Sequence, residues 1–253
     1  MKLSQLKIDP EFQSKIPPLQ FEEEQQLEQN IIAEGRLLNP IITWNGYILD
    51  GHTRYRILKK YGFIKFEVEE IQLANKYEAL AWICKNQLGR RNLSPERKKF
   101  LLGKEYESTK LAVGGQPGNC NKVNRCDQND HIDSEKRTCE RIAIEHGVGS
   151  ATVRRAEKYS RGIDAAEEAV PGAQEEILTG HIKATDEQIV ALASIPKEER
   201  PAILEELKKK KSDRDDTVLE RLKPNRPPPK QKSAPQKKKP TATENNTASQ
   251  AEQ

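Results

Sequence analysis

The chain has 253 residues, of which 34% are hydrophobic and 32% are charged, and its mean hydropathy is −0.86. This length is enough for one large domain or two small ones, but so polar a composition predicts that part of the chain is disordered. Because no apolar run approaches the ~20 residues of a membrane helix and the N-terminus does not resemble a signal peptide, we expect a soluble, cytoplasmic protein without a membrane partner.

The net charge of +4 is concentrated at the C-terminal end. Residues 224–253 hold six Lys or Arg and two Glu, so the rest of the chain is neutral overall. Pro, Lys, Gln, Ser and Thr dominate over 223–253, which predicts a disordered basic tail. Its lysines either contact DNA without sequence preference or serve only to keep the chain soluble.

The N-terminal elements begin with a predicted short strand over 3–8. A helix is predicted over 21–34 because its apolar residues form one stripe, and Gly35 ends it. A hairpin follows, with strands over 39–44 and 47–49. Its turn is Asn45-Gly46, a strong signal for a two-residue hairpin loop.

The next predicted element is a helix from Gly51 to about Tyr61, followed by a strand over 65–73. A helix over 76–87 packs on the small sheet, and another begins after Ser94, which serves as its N-cap ahead of Pro95. Strands and helices mixed in this order predict an α+β domain, which we place at residues 1–110.

The segment that joins the hairpin to the next helix, Asp50-Gly51-His52-Thr53-Arg54-Tyr55-Arg56, has the chemistry of an anion site. A helix N-terminus presents unpaired N–H groups and a partial positive charge. Gly51 lets the backbone approach a ligand, and Arg54 and Arg56 supply charged donors for phosphate, with Arg54 the better placed. The alternative is an ordinary turn followed by a solvated basic helix.

Residues 111–133 are rich in Gly and Asn and predict a flexible linker. An all-α domain follows at 134–210, with further helices over 165–178, 186–195 and 200–207. Residues 139–158 fit the helix-turn-helix template, with Gly147 at the turn. The predicted buried positions of this template are Ile142, Ala143, Val148, Val153 and Ala156.

The second helix of this template carries the predicted DNA contacts. Ser150 is expected to cap it, and Thr152, Arg154, Arg155 and Lys158 are expected to face outward. A recognition helix needs such donors for base edges and phosphates. The alternative is a helical hairpin with solvated arginines.

The four cysteines are Cys84, Cys120, Cys126 and Cys139. The last three, with His131, suggest a zinc site, but their spacing lacks the close pairs of structural zinc sites. We therefore predict no metal site and reduced, incidental thiols.

Three segments together resemble the ParB-like family. Leu27 to Ile42, including Gly35-Arg36-Leu37-Leu38-Asn39-Pro40-Ile41, looks like the first motif of its N-terminal domain. Gly51-His52-Thr53-Arg54-Tyr55-Arg56 looks like the phosphate-binding motif. Asn86-Gln87-Leu88-Gly89-Arg90, running into Asn92-Leu93-Ser94-Pro95, looks like the third motif, and the helix-turn-helix follows where ParB proteins carry theirs.

The resemblance implies a small ParB/sulfiredoxin-like α+β domain joined to a helical domain that binds double-stranded DNA. It further implies CTP with Mg²⁺ as a cofactor, a homodimer, a partition ATPase as a partner, and a place on the nucleoid or a plasmid. The residues that it assigns to the nucleotide phosphates are Asn39, Gly51, His52, Thr53, Arg54, Arg56 and Arg90.

The chain departs from the family pattern at several positions. ParB proteins usually have Gly-Glu-Arg-Arg where this chain has Gly51-His52-Thr53-Arg54, and Glu-Asn where it has Asn86-Gln87. A missing carboxylate removes a natural Mg²⁺ contact, so we expect nucleotide binding without hydrolysis. Sulfiredoxin chemistry is not expected, since His52 stands where it needs a cysteine.

The leading hypothesis is a DNA-binding protein that acts in partition or regulation for a plasmid, phage or integrated element. One alternative is a ParB-like nuclease in which Asp50 and His52 hold a metal ion. The other is a transcription regulator that has lost nucleotide binding.

Overall fold

The computed structural model describes residues 2–90, 92–114 and 137–222. Its strands are β1 (Ile41–Trp44), β2 (Tyr47–Asp50) and β3 (Val68–Glu70). Its helices are α1 (Pro10–Gln13), α2 (Phe21–Glu34), α3 (His52–Lys60), α4 (Lys76–Leu88), α5 (Pro95–Ala112), α6 (Thr138–Glu145), α7 (Ser150–Ala169), α8 (Ala173–Leu178), α9 (Asp186–Leu192), α10 (Arg200–Lys208) and α11 (Asp216–Leu219). The fold is α+β, as predicted. The predicted tail, and the predicted linker from residue 115, lie outside the described residues.

The sheet has the order β2-β1-β3, with β1 antiparallel to β2 and parallel to β3. The predicted hairpin is confirmed, because Asn45 and Gly46 have φ of +50° and +77°. Two consecutive positive φ angles are the signature of a type I′ turn, which matches the twist of the strands that it joins.

Consecutive residues of β2 point to opposite faces of the sheet, as strand geometry requires. Ile48 is fully buried in a cluster with residues of α2 and α3, whereas Leu49 is fully buried in a cluster with α1 and α4. The sheet is therefore a middle layer between two sets of helices, and its β2 end leads directly into the predicted anion site.

The predicted strand over 3–8 is wrong. Residues Leu3–Gln5 form a 3₁₀ turn, and Lys7 makes the one isolated bridge of this segment, parallel to Tyr47. The strand cannot extend because Asp9 caps α1 and Pro10 occupies its first turn. A capped helix start with proline is a stronger local signal than three apolar residues at irregular spacing.

Helix α5 packs against both α4 and α7. Phe100 and Leu101 are buried in the same cluster as Tyr159 and Ile163 of α7. A Cβ on Gly103 would lie 2.2 Å from the carbonyl oxygen of Ala156, so α5 and α7 approach closely only because residue 103 is glycine.

The predicted helix over 165–178 is divided in the structure. Its first part is the end of α7, which runs without interruption from Ser150 to Ala169, and its second part is α8. Gly172, with φ of +91°, separates the two helices. In the described ranges no helix is both long and apolar enough to cross a membrane.

Candidate functional site

The glycine turn, residues 50–56, lies where β2 ends and α3 begins. Gly51 precedes the first helical residue and has φ of +100°, a left-handed conformation that favours glycine. A Cβ at this position would lie 3.2 Å from the guanidinium of Arg54. Gly51 therefore makes the turn possible and also leaves space for the arginine beside it.

Arg54 joins the turn to the segment before β1. Its Nη1 donates to the backbone carbonyls of Asn39 and Pro40, both at 2.9 Å, and its Nη2 donates to Asp50 Oδ2 at 2.5 Å. The side chain is 16% exposed. Because these bonds already use much of the guanidinium, Arg54 has a structural role in addition to the predicted phosphate contact.

Arg90, beyond the end of α4, reaches the same carboxylate. Its Nη2 lies 3.3 Å from Asp50 Oδ1, and its side chain is 39% exposed. The structure thus brings together two arginines that the sequence assigned to one site. It also shows that Asp50 joins them, which sequence reasoning missed.

His52 lies inside the protein, where only 7% of it is exposed. Burial disfavours the charged imidazolium and lowers the pKa of His52 to about 4, so the ring is neutral at pH 7. Neither ring nitrogen has a hydrogen-bond partner within the described residues. A phosphate contact through His52 would require the ring to leave its buried position.

The remaining predicted phosphate ligands are arranged around the turn. Thr53 is half-buried. Arg56 is exposed and pairs with Glu24 of α2, with Nη2 3.0 Å from Oε1. Asn39 is exposed and contributes a backbone carbonyl to Arg54. Among the described residues Arg90 and Arg56 each make one ion pair through Nη2, so both keep donors for an anion, and of the two arginines on Asp50 Arg90 is the more exposed.

Gln87, in the last turn of α4, is a residue that sequence reasoning did not select. It is fully buried, and neither its amide nitrogen nor its amide oxygen has a partner among the residues that the structure describes. Like His52, it belongs to a segment that supplies one member of the Asp50–Arg54–Arg90 cluster. Each unpaired buried polar group costs about 1–3 kcal/mol unless a polar group from outside the protein pairs with it.

The nuclease alternative assigned a metal ion to Asp50 and His52. The Asp50 carboxylate is already paired with two arginines, and His52 is buried. In the described part of the chain, the three metal-ligating groups that do converge are Glu105, Glu145 and His146, outside the glycine turn. The contacts at the turn do not support a nuclease site.

Helices α6 and α7 are joined by a short turn, residues 146–149, in which Gly147 has φ of +65°. Four predicted buried positions are confirmed, since they form one cluster with Cys139 and with Leu102 of α5; they are Ile142, Ala143, Val153 and Ala156. The prediction for Val148 is wrong, because 37% of it is exposed. Its backbone N–H closes the turn onto the carbonyl of Ala143, which leaves the side chain outside.

The predicted cap of α7 is also wrong. Gly149 occupies the N-cap position and makes no side-chain cap, while Ser150 is the first helical residue. The hydroxyl of Ser150 accepts instead from Arg154 Nη2 at 3.3 Å. Ser150 therefore supports an arginine of the predicted DNA-binding set.

The outward residues of α7, Thr152, Arg154, Arg155 and Lys158, are all exposed as predicted. Within the described ranges, none of the three cations has a carboxylate partner in an ion pair. One turn further along, Arg161 pairs with Glu157 at 2.7 Å and with Glu107 at 3.5 Å. We call Arg154, Arg155 and Lys158 the basic face of α7.

The described cysteines are core residues. Cys139 is buried between α6 and α7, and Cys84 is fully buried, which raises the pKa of its thiol to about 12. The other members of the zinc set, Cys120, Cys126 and His131, lie outside the described residues.

No protein-family model matches the chain, and no curated protein matches it either. Several solved structures do match the chain. The C2221 form of a pNOB8-like ParB N-domain has a TM-score of 0.46 at 17% identity, covering 87% of each chain. A second pNOB8-like ParB N-domain has a TM-score of 0.45 at 16% identity, covering 87% of this chain and 80% of that one.

The third is the C-terminally truncated chromosome-partitioning protein ParB from Caulobacter crescentus, complexed to the centromeric parS site. Its TM-score is 0.35 at 17% identity, and the match covers 80% of this chain and 89% of that one. The chain is similar to ParB proteins.

Proposed function

We propose that this chain is a ParB-like DNA-binding protein that contacts duplex DNA through the basic face of α7. The observation that supports this most is the absence of ion-pair partners for Arg154, Arg155 and Lys158 among the described residues. Unpaired cations on one helix face are free to replace the counterions of DNA phosphates, which is the main source of non-specific affinity.

The geometry of α7 supports this role in a second way. Val153 and Ala156 bury the opposite side of the helix against α6 and α5, so α7 is held with its arginines outward. Thr152 is exposed near the start of the same helix. The N-terminal part of a recognition helix is the part that reads base edges in the major groove.

The test is the salt dependence of binding to a duplex, compared between the wild-type chain and the Arg154→Ala/Arg155→Ala variant. Each lost phosphate contact lowers the slope of log K against log salt concentration by about 0.9, so we expect a loss of about 1.8. Fluorescence anisotropy at several salt concentrations measures this slope on any labelled duplex.

The matched control is Lys210→Ala/Lys211→Ala, which removes the same charge from two exposed lysines outside α7. Its slope should fall by much less. An equal fall in both variants would show that only net charge matters, and an unchanged slope in the arginine variant would refute the assignment to α7.

We further propose that the glycine turn takes a nucleotide phosphate, of the CTP type with Mg²⁺, through Arg90. In support, Arg90 is the more exposed of the two arginines on Asp50, with one contact at 3.3 Å. A triphosphate would replace a single carboxylate as its partner. Calorimetric titration with CTP and ATP, with and without Mg²⁺, tests this.

The Arg90→Ala variant should lose at least tenfold in nucleotide affinity, whereas Arg56→Ala should not, since Arg56 pairs with Glu24 of α2 rather than with Asp50 of the turn. If neither nucleotide binds while DNA binding is intact, the chain is better described as a regulator without a nucleotide. The same proposal includes a role in partition or regulation for a plasmid, phage or integrated element. It also includes a homodimer and a partition ATPase as a partner.

A further inference from the structure

A second cluster of ionisable side chains lies where α5 meets the end of α6. Glu105 belongs to α5, Glu145 is the last residue of α6, and His146 follows it. One ligand atom from each lies within 4.8 Å of the others. The closest pair is His146 Nε2 and Glu105 Oε2, at 2.7 Å.

Glu105 is almost fully buried, with only 3% of it exposed, which is unusual for a carboxylate side chain. A buried carboxylate needs a positive partner or a proton. Within the described residues, the side-chain hydrogen-bond partner of this carboxylate is His146.

The charges around the cluster favour a cation. Glu105 and Glu145 converge at the C-terminus of α6, where the helix dipole adds partial negative charge. Lys85 of α4 pairs with Glu145, but its side chain is 57% exposed, and an exposed ion pair is screened by water.

We propose that Glu105, Glu145 and His146 form a binding site for a divalent transition metal of the zinc class. An imidazole nitrogen with carboxylate oxygens is a donor set that zinc accepts, and three protein ligands leave a position for water. The ion would replace the hydrogen bond between His146 and Glu105 and would link α5 to α6. It would thereby fix α6 immediately before the turn that leads to the basic face of α7.

The test is a titration of the full-length protein with Co²⁺, followed by absorption spectroscopy. Cobalt substitutes for zinc, and its visible bands report the coordination geometry. We expect one Co²⁺ per chain with no thiolate-to-cobalt charge-transfer band. In His146→Gln and in Glu145→Gln, Co²⁺ should bind about tenfold more weakly or not at all, since even outer-shell substitutions cost that much.

His146→Gln keeps a donor for Glu105, and Glu145→Gln changes a partly exposed residue, so at least one variant will retain the fold; circular dichroism checks this. The control is His181→Gln, an exposed histidine bonded to Thr179, which should bind Co²⁺ like the wild type. A thiolate charge-transfer band would assign the ion to cysteines and overturn the proposal. Equal affinity in the two cluster variants and the wild type, or no binding to the wild type, would overturn it as well.

Discussion

The glycine turn and the basic face of α7 both concentrate arginines, but they use them differently. At the turn, Asp50 engages Arg54 and Arg90, and two backbone carbonyls take further donors from Arg54. On α7, Arg154 and Arg155 face solvent without a carboxylate partner in the described residues. The first region uses its charge mainly to hold the protein together, and the second leaves its charge available for a ligand.

A cationic motif therefore has two possible uses, and ion pairing within the protein distinguishes them. The sequence alone does not distinguish paired from unpaired arginines, whereas the structure shows which of their N–H donors already have a partner. The comparison also predicts where substitutions affect stability and where they affect binding alone.

The largest effect is expected at Arg54. Replacing it with alanine removes two bonds to carbonyls and one ion pair, and leaves Asp50, which is only 17% exposed, with Arg90 alone. We expect Arg54→Ala to lower the free energy of unfolding by about 2–4 kcal/mol. Urea denaturation at pH 7 measures it.

The control on the same helix is Arg56→Ala. Its exposed ion pair with Glu24 should contribute about 0–1 kcal/mol. Equal losses in the two variants would contradict the structural role that we assign to Arg54.

The next effect concerns His52 and pH. Its folded pKa of about 4 lies below the ordinary 6.5, so between these values the unfolded chain binds the additional proton. The contribution of His52 is therefore fully present above pH 6.5 and is lost as the pH falls toward 4. It amounts to at most about 3 kcal/mol.

In the His52→Leu variant this part of the pH dependence should disappear. The measurement is urea denaturation of both proteins at pH 7.5, 6 and 5, with His181→Leu as the control for an exposed histidine. Parallel stability curves for wild type and His52→Leu would show that His52 is not buried in the neutral form.

The smallest expected effect on stability distinguishes two arginines of α7, Arg161 and Arg155. Arg161 is 35% exposed and pairs with Glu157 and Glu107, so Arg161→Ala should cost about 1 kcal/mol of stability. Arg155→Ala should change stability by less than about 0.5 kcal/mol while weakening DNA binding. If Arg155→Ala proved the more destabilising of the two, the basic face would have a structural role.

Much of the local structure could be predicted from the sequence. The bounds of α2, the hairpin turn at Asn45-Gly46 and the start of α5 after Ser94 agree with the structure. Each depends on signals within a few residues, such as an apolar stripe, a pair of turn residues or a cap. The exposed side of α7 was predicted in the same way, from the helical spacing of its apolar and polar residues.

Other features depend on partners distant in the chain, and the sequence could not reveal them. Arg90 lies 40 residues from Asp50, and nothing local predicts that a turn carboxylate would join two arginines. The burial of His52 results from the packing of α3 on the sheet, and the sequence, which assigned His52 to the phosphate ligands, did not predict it. Gln87 became notable only because the described residues around its buried amide include no hydrogen-bond partner for it.

The glycine contacts around α7 have a mechanical consequence. Gly103 faces the carbonyl oxygen of Ala156, and a Cβ on Gly162 would lie 1.9 Å from the carbonyl oxygen of Ile189 in α9. The helix is therefore held on two sides by main chain, which cannot change rotamer as a side chain can. These contacts limit rotation of α7 about its axis and sliding between α5 and α9, so the basic face keeps one orientation relative to the helices behind it.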